Sequence, residues 1–257
     1  MPLIKINNID INYNFLNEEL LQDNKKALLI FLHEGLGSIE QWKDFPEDVA
    51  KKLKMPALVY DRHGYGKSDS LHESRNNSYL HKESIFLTDL LHGLGIQNPL
   101  ILIGHSDGGT IALLHAAKQS SNVKAVVCMA AHIYVEDITI AGINDAVKLY
   151  EEKGLKKLLS RFHADKTDSV FYSWANIWLS KEFRRWDIQE EIEHINCPVL
   201  AIQGESDQYA TEMQLDRIIK IIGNRAEKIL IPKAGHSLHL QSKEDVIMKI
   251  IEFISIL

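Results

Sequence analysis

The chain has 257 residues, 45% of them apolar and 25% charged, with a formal net charge of −6. That length suffices for one large α/β domain or two small ones, and for burial of about three quarters of the unfolded surface. The acidic balance argues against nucleic acid as a general partner, and no apolar run approaches the ~18 residues needed to span a bilayer. The N-terminus, Met1-Pro2-Leu3-Ile4-Lys5, has no basic segment followed by an apolar one, so no signal peptide is evident. A cytoplasmic setting is the expectation. Cys128 and Cys197 lie in or beside apolar strand-like runs and are expected as buried free thiols.

Residues 2–15 alternate apolar and polar around Asn7-Asn8, which predicts a β-hairpin. Residues 18–26 are polar and read as a loop. The unbroken apolar run 27–32 predicts a buried strand, ending in the glycine-bearing turn His33-Glu34-Gly35-Leu36-Gly37-Ser38. A helix over 39–53 should follow, with Ser38 as its N-cap. Residues 57–60 form the next strand and lead into the loop Asp61-Arg62-His63-Gly64-Tyr65-Gly66-Lys67-Ser68-Asp69. Helical period over 79–94 places Ile85, Leu87, Leu90, Leu91 and Leu94 on an apolar face.

Leu100-Ile101-Leu102-Ile103 is a short apolar run, followed at once by Gly104-His105-Ser106-Asp107-Gly108-Gly109 and a run of small and apolar residues from Thr110 to Ala117. Strand, tight turn and helix are expected in that order. Gly104-x-Ser106-x-Gly108 is the spacing of a nucleophile elbow, in which a strained serine stands above a helix N-terminus and glycines avoid collision with packed backbone. After a strand at 123–130 the rhythm breaks. Residues 131–195 are helical in pattern and rich in aromatics, and read as a helical cap inserted into a core formed by 1–130 and 196–257. The rhythm resumes with a strand at 198–203, the turn Gly204-Glu205-Ser206-Asp207, a helix near 211–222, a strand at 227–231, a loop with Gly235-His236 and a terminal helix at 243–255.

Alternating strands and helices imply an α/β fold: a mainly parallel twisted sheet with helices on both faces, and functional groups at the carboxyl ends of its strands. Ser106, the 33–38 turn, Asp207 and His236 all come just after a predicted strand. A serine hydroxyl needs a base, and the base needs an orienting group. His236 is the candidate base, with His239 as runner-up, and Asp207 the orienting acid, with Glu205 as runner-up. His105 should point away from the nucleophile. An oxyanion would take the backbone amide of Asp107 and a second amide from the 33–38 turn, Gly35 or alternatively Leu36. His33 is then structural. The pair His236-x-x-His239 lacks evident further ligands, so neither metal nor other cofactor is expected.

With these motifs the sequence resembles the α/β-hydrolase superfamily, in its esterase and C–C hydrolase branch, over essentially the whole chain. Ser106, Asp207 and His236 occur in the chain order of that family's triads. Two departures stand out. Glu34 replaces the usual glycine after His33, which leaves Gly35 at an oxyanion position where many relatives carry a side chain. Asp107 replaces the usual Met, Gln or Leu after the nucleophile; its carboxylate either disfavours anionic groups near the reacting carbonyl or turns away. Ser106 itself disfavours the aspartate-nucleophile branches.

The resemblance implies a serine-dependent hydrolase of carboxylic esters, with Leu36, Trp174 and Trp178 as pocket residues; the aromatic cap suggests room for a medium-sized, apolar acyl or alkyl group. An alternative is an acyl-carrier-protein methyl ester esterase, similar to those of biotin synthesis. Between residues 153 and 185 eight basic residues (Lys153, Lys156, Lys157, Arg161, Lys166, Lys181, Arg184, Arg185) face three acids, Asp165, Asp168 and Glu182. Such a cap could dock an acidic acyl carrier protein. A C–C bond hydrolase of ring-cleavage products and a binding protein that has lost turnover are the remaining options.

Overall fold

The computed structural model describes residues 2–71, 73–118 and 122–257. Its described residues form eight strands: β1 (Leu3–Ile6), β2 (Ile9–Leu16), β3 (Leu28–Leu32), β4 (Ala57–Tyr60), β5 (Leu100–His105), β6 (Val123–Met129), β7 (Val199–Gly204) and β8 (Ala226–Ile231). They pair in the order β1-β2-β4-β3-β5-β6-β7-β8. β1 and β2 make the expected antiparallel hairpin, turned by Asn7 and Asn8, both at positive φ; asparagine tolerates that conformation better than most residues. β2 runs antiparallel to β4, and every pairing from β4 onward is parallel.

The helices are α1 (Phe45–Leu53), α2 (Tyr79–Gly93), α3 (Asp107–Lys118), α4 (Asp137–Glu152), α5 (Leu155–His163), α6 (Thr167–Leu179), α7 (Gln189–Ile192), α8 (Met213–Ile222), α9 (Leu238–Gln241) and α10 (Lys243–Ile254). Alternation along each strand splits the core. Leu28, Ile30 and Leu32 pack with apolar residues of α2, α3 and α8 on one face. Leu29 and Phe31 pack with α1 and α10 on the other. Each fully buried aliphatic or aromatic side chain stabilises the fold by about 1.5–3 kcal/mol. Because β3 and β5 are covered on both faces, all their residues are buried, which is why they appear in the sequence as unbroken apolar runs. No helix among the described residues is long and apolar enough to cross a membrane.

Several local expectations need correction. The polar 18–26 stretch contains a 3-10 turn at Glu18–Gln22. The helix placed at 39–53 is two pieces: a 3-10 turn, Ile39–Trp42, and then α1. Lys43 at φ 54 breaks the backbone between them, and Pro46 sits in the first turn of α1, where a missing N–H costs nothing. Ser38 does not cap a helix; its hydroxyl donates to the Gln41 side chain at 3.2 Å. Ile85 is 53% exposed, because the buried stripe of α2 runs through Leu80, Ser84, Leu87 and Leu91 and leaves Ile85 about 130° off its centre.

The two cysteines are free and buried, as expected. Burial pushes the Cys128 thiol up to about 12 and the Cys197 thiol up to about 11.

Candidate active site

β3, β5, β6, β7 and β8 run in one direction, so their carboxyl ends share one edge of the sheet. Ser106 follows β5 directly. Its φ is +53°, the left-handed region that residues bearing Cβ seldom occupy. The strain is held from both sides: the Ser106 amide donates to the Met129 carbonyl at 2.8 Å, and the Ser106 carbonyl accepts from the Thr110 amide at 3.0 Å. A methyl group on Gly104 would come within 2.1 Å of the Gly108 carbonyl oxygen, and one on Gly108 within 1.9 Å of the Leu32 carbonyl oxygen. The two glycines therefore let β5, the first turn of α3 and the end of β3 meet backbone to backbone.

Three side chains from separate loops converge there. His236 Nε2 lies 2.9 Å from Ser106 Oγ, and His236 Nδ1 lies 3.0 Å from both carboxylate oxygens of Asp207. Since Nδ1 faces a carboxylate, it carries the proton and donates, leaving Nε2 to accept from the serine hydroxyl. The Tyr209 amide donates to Asp207 Oδ1 at 2.8 Å. Burial alone would raise the Asp207 carboxyl pKa. The neighbouring His236, by charge and hydrogen bond, and the Tyr209 amide outweigh it and hold the carboxyl below the usual carboxylate range.

Neither runner-up joins this line. His239 is buried against Trp42 and Phe45, with ring centroids 4.9 and 5.6 Å away. Glu205 is exposed, and its carboxylate accepts from the Lys233 amide at 3.3 Å. His105 turns its ring from the serine to the backbone carbonyl of His236.

Asp107 opens α3, so its amide is one of the first-turn donors without an intrahelical acceptor. Gly35 lies in the turn after β3. The carboxylate of Asp107 turns away from the nucleophile: it accepts from the Tyr79 hydroxyl at 3.1 Å and from Arg62 at 3.4 Å, and Arg75 stands 3.9 Å off. It is 1% exposed and matched by two buried guanidiniums.

Ser106 and His236 open onto a cavity of about 230 Å³ whose walls include Leu36, Trp174 and Trp178. Ile143 and Leu158, from α4 and α5, extend its apolar wall. Larger hollows of about 850 and 460 Å³ border Arg75 and Asn76, and Ser106 lines neither.

Arg62, Tyr65, Tyr79 and His163 carry no role in the sequence pattern alone. Tyr65 donates its hydroxyl to the Gly35 carbonyl at 3.0 Å. His163, at the end of α5, accepts from the Gly66 amide at 3.1 Å and donates to the Leu36 carbonyl at 2.9 Å. Arg62 belongs to a motif visible in the sequence. Its complete burial is not visible there, because an arginine in a polar loop is ordinarily a solvated one.

A sequence model described as the alpha/beta hydrolase family matches residues 29–248. Among curated proteins the chain is 28% identical over 200 residues to Serine hydrolase BPHL of Mus musculus, covering 76% of this chain and 67% of that protein. Among solved structures it superimposes on MGS-M2, an alpha/beta hydrolase enzyme from a Medee basin deep-sea metagenome library, with a TM-score of 0.79 at 21% identity, covering 99% of this chain and 97% of the other. A thermophilic esterase from Thermogutta terrifontis gives a TM-score of 0.74 at 16% identity, with 99% and 97% covered. At these identities the structural likenesses speak to the fold.

Proposed function

The chain belongs to the alpha/beta hydrolase family, and from that premise we propose that it is a serine hydrolase that cleaves small carboxylic esters through an acyl-enzyme. The observation that carries this reading is the hydrogen-bonded line from Ser106 Oγ through His236 to Asp207, opening onto a small cavity with an apolar side formed by Ile143, Leu155, Leu158 and Leu159.

Ser106 Oγ attacks the ester carbonyl carbon while His236 Nε2 takes its proton. Asp207 holds the imidazole in the tautomer that can do so and stabilises the imidazolium. The oxyanion is met by the amides of Gly35 and Asp107, each donor worth about 3–4 kcal/mol in the transition state. The imidazolium returns its proton to the leaving alcohol. Water, activated by the same histidine, then releases the acid and restores Ser106. The 131–195 segment serves as the lid, since α4, α5 and α6 all contribute to the cavity wall. The volume, below the ~300 Å³ at which drug-sized sites begin, favours a short acyl group.

A second reading, an acyl group borne on an acidic carrier protein, has one observation in its favour. Leu158 lines the cavity yet is 49% exposed, which places it at the rim. Lys157 and Arg161 stand one helical turn apart beside it on α5, both exposed. The basic excess around them is thinner than the composition suggests: Lys156 pairs with Asp168, Arg184 pairs with Asp137, and Lys166 donates to the Tyr65 and Ser68 carbonyls.

The test is turnover of p-nitrophenyl esters of graded acyl length by wild type and Ser106→Ala, with mass spectrometry of a phosphonate-treated sample. Loss of p-nitrophenol release in the variant and labelling at Ser106 support the reading; full activity in the variant ends it. Turnover of a carrier-borne ester that falls as salt rises would favour the second reading, and salt-independent turnover counts against it.

A further inference from the structure

Arg62 is 0% exposed, yet it carries a charge into the interior beside the nucleophile. One of its nitrogens, Nη2, reaches two places at once: the carbonyl of Glu34 at 2.8 Å and the carboxylate of Asp107 at 3.4 Å. The Glu34 carbonyl and the Gly35 N–H belong to one peptide unit. In a planar trans peptide these groups point in opposite directions, so fixing the carbonyl aims the N–H. The same carbonyl has a second donor. The Arg62 backbone N–H donates to His33 Nε2 at 3.0 Å, which leaves the proton on Nδ1, and Nδ1 donates to the Glu34 carbonyl at 2.8 Å. Burial, with the Arg62 charge next, holds the His33 pKa well below the usual histidine range, consistent with the neutral ring this requires. The Gly37 amide closes the turn on the same carbonyl at 3.1 Å, and a carbonyl that accepts three bonds polarises its peptide and makes the N–H a stronger donor.

We propose that Arg62, with His33, is the positioning residue of the oxyanion hole: it aims the Gly35 amide and, through the Asp107 carboxylate, sets its distance from the Asp107 amide. The inference rests on the serine-hydrolase reading above. The remaining Arg62 contacts are suited to holding the guanidinium still. Its charge lies 4.5 Å over the Tyr65 ring and Nη1 is 3.8 Å from Glu83.

The experiment compares wild type, Arg62→Lys, Asp107→Asn and Ser106→Ala on one ester, with KM, kcat and the inhibition constant of a trifluoromethyl ketone. With that ketone Ser106 Oγ adds to the carbonyl carbon, the hydroxyl proton moves to His236, and the resulting hemiketal oxyanion needs the hole that the ground-state ester does not. Arg62→Lys keeps the charge but not the two-way reach. It should lower kcat by roughly 100-fold, weaken the ketone by a similar factor and leave KM within about threefold. Asp107→Asn leaves Glu34 anchored and should lower kcat by roughly tenfold with KM held; it provides the measurement if Arg62→Lys does not fold. Wild-type kcat and ketone binding in the folded variants, or equal losses in KM and ketone binding, would overturn the positioning role. Activity surviving in Ser106→Ala would instead bring down the underlying reading, a result distinct from either.

Discussion

The imidazole of His105 meets the backbone carbonyl of His236 at 2.9 Å. The residue before the nucleophile thus pins the loop that carries the base, and the ring centroids of the two histidines lie 5.0 Å apart. His105→Leu removes the donor while keeping a buried apolar side chain. Because a displacement of about 1 Å can cost 100-fold in rate, kcat on a p-nitrophenyl ester should fall between about 10- and 100-fold. Steady-state kinetics of the folded variant checks this.

Gly104 has no room for a side chain, since a methyl there meets the Gly108 carbonyl oxygen at 2.1 Å and the obstacle is backbone. Gly104→Ala should cost about 3 kcal/mol of stability, read as a lower midpoint in urea. By contrast, Gly95→Ala has open space around the position but a φ of +69°, and should lose only about 1 kcal/mol.

Asp207→Asn keeps the shape of the side chain and removes its charge. The imidazole loses the partner that keeps the proton on Nδ1, and kcat should fall on the order of 10³–10⁴-fold. The folded-state carboxyl pKa of Asp207 is lowered, so at acid pH the unfolded chain takes up a proton more readily than the folded one does. The stabilisation is present above the ordinary carboxylate pKa of about 3.9 and is lost as pH falls through the lowered folded value. The wild-type stability curve should therefore be steeper than that of Asp207→Asn below about pH 4, as urea midpoints at several pH values will show.

Ile143 is 1% exposed and lines the cavity near Ser106. Ile143→Ala lengthens the space for the acyl chain. The ratio of kcat/KM for hexanoyl over acetyl p-nitrophenyl ester should rise by at least about tenfold, the low end of the scale for one methylene's worth of apolar room.

Much of this site was legible in the chain because it depends on local pattern. Two doubly covered strands announce themselves as unbroken apolar runs, and Gly104 and Gly108 bracket Ser106 where a Cβ would hold strand and helix apart. Parallel topology then brings the segments after β3, β5, β7 and β8 to one edge, which selects His236 and Asp207 from many histidines and acids. Errors fell where local periodicity competes with packing. Ile85 fits a helical stripe but lies off the buried one, and the apparent single helix at 39–53 is broken at Lys43.

The order and type of the elements, and the edge at which the reactive side chains gather, follow from local pattern, since apolar period and glycine sterics act over a few residues. Where Asp107 points, the burial of Arg62, and the sharing of one guanidinium nitrogen between the 34–35 peptide and the first turn of α3 come from the packed chain. The difference is one of range. Residues 34, 62 and 107 are distant along the chain, and whether a charge is solvated or enclosed depends on surfaces that do not exist until those segments pack.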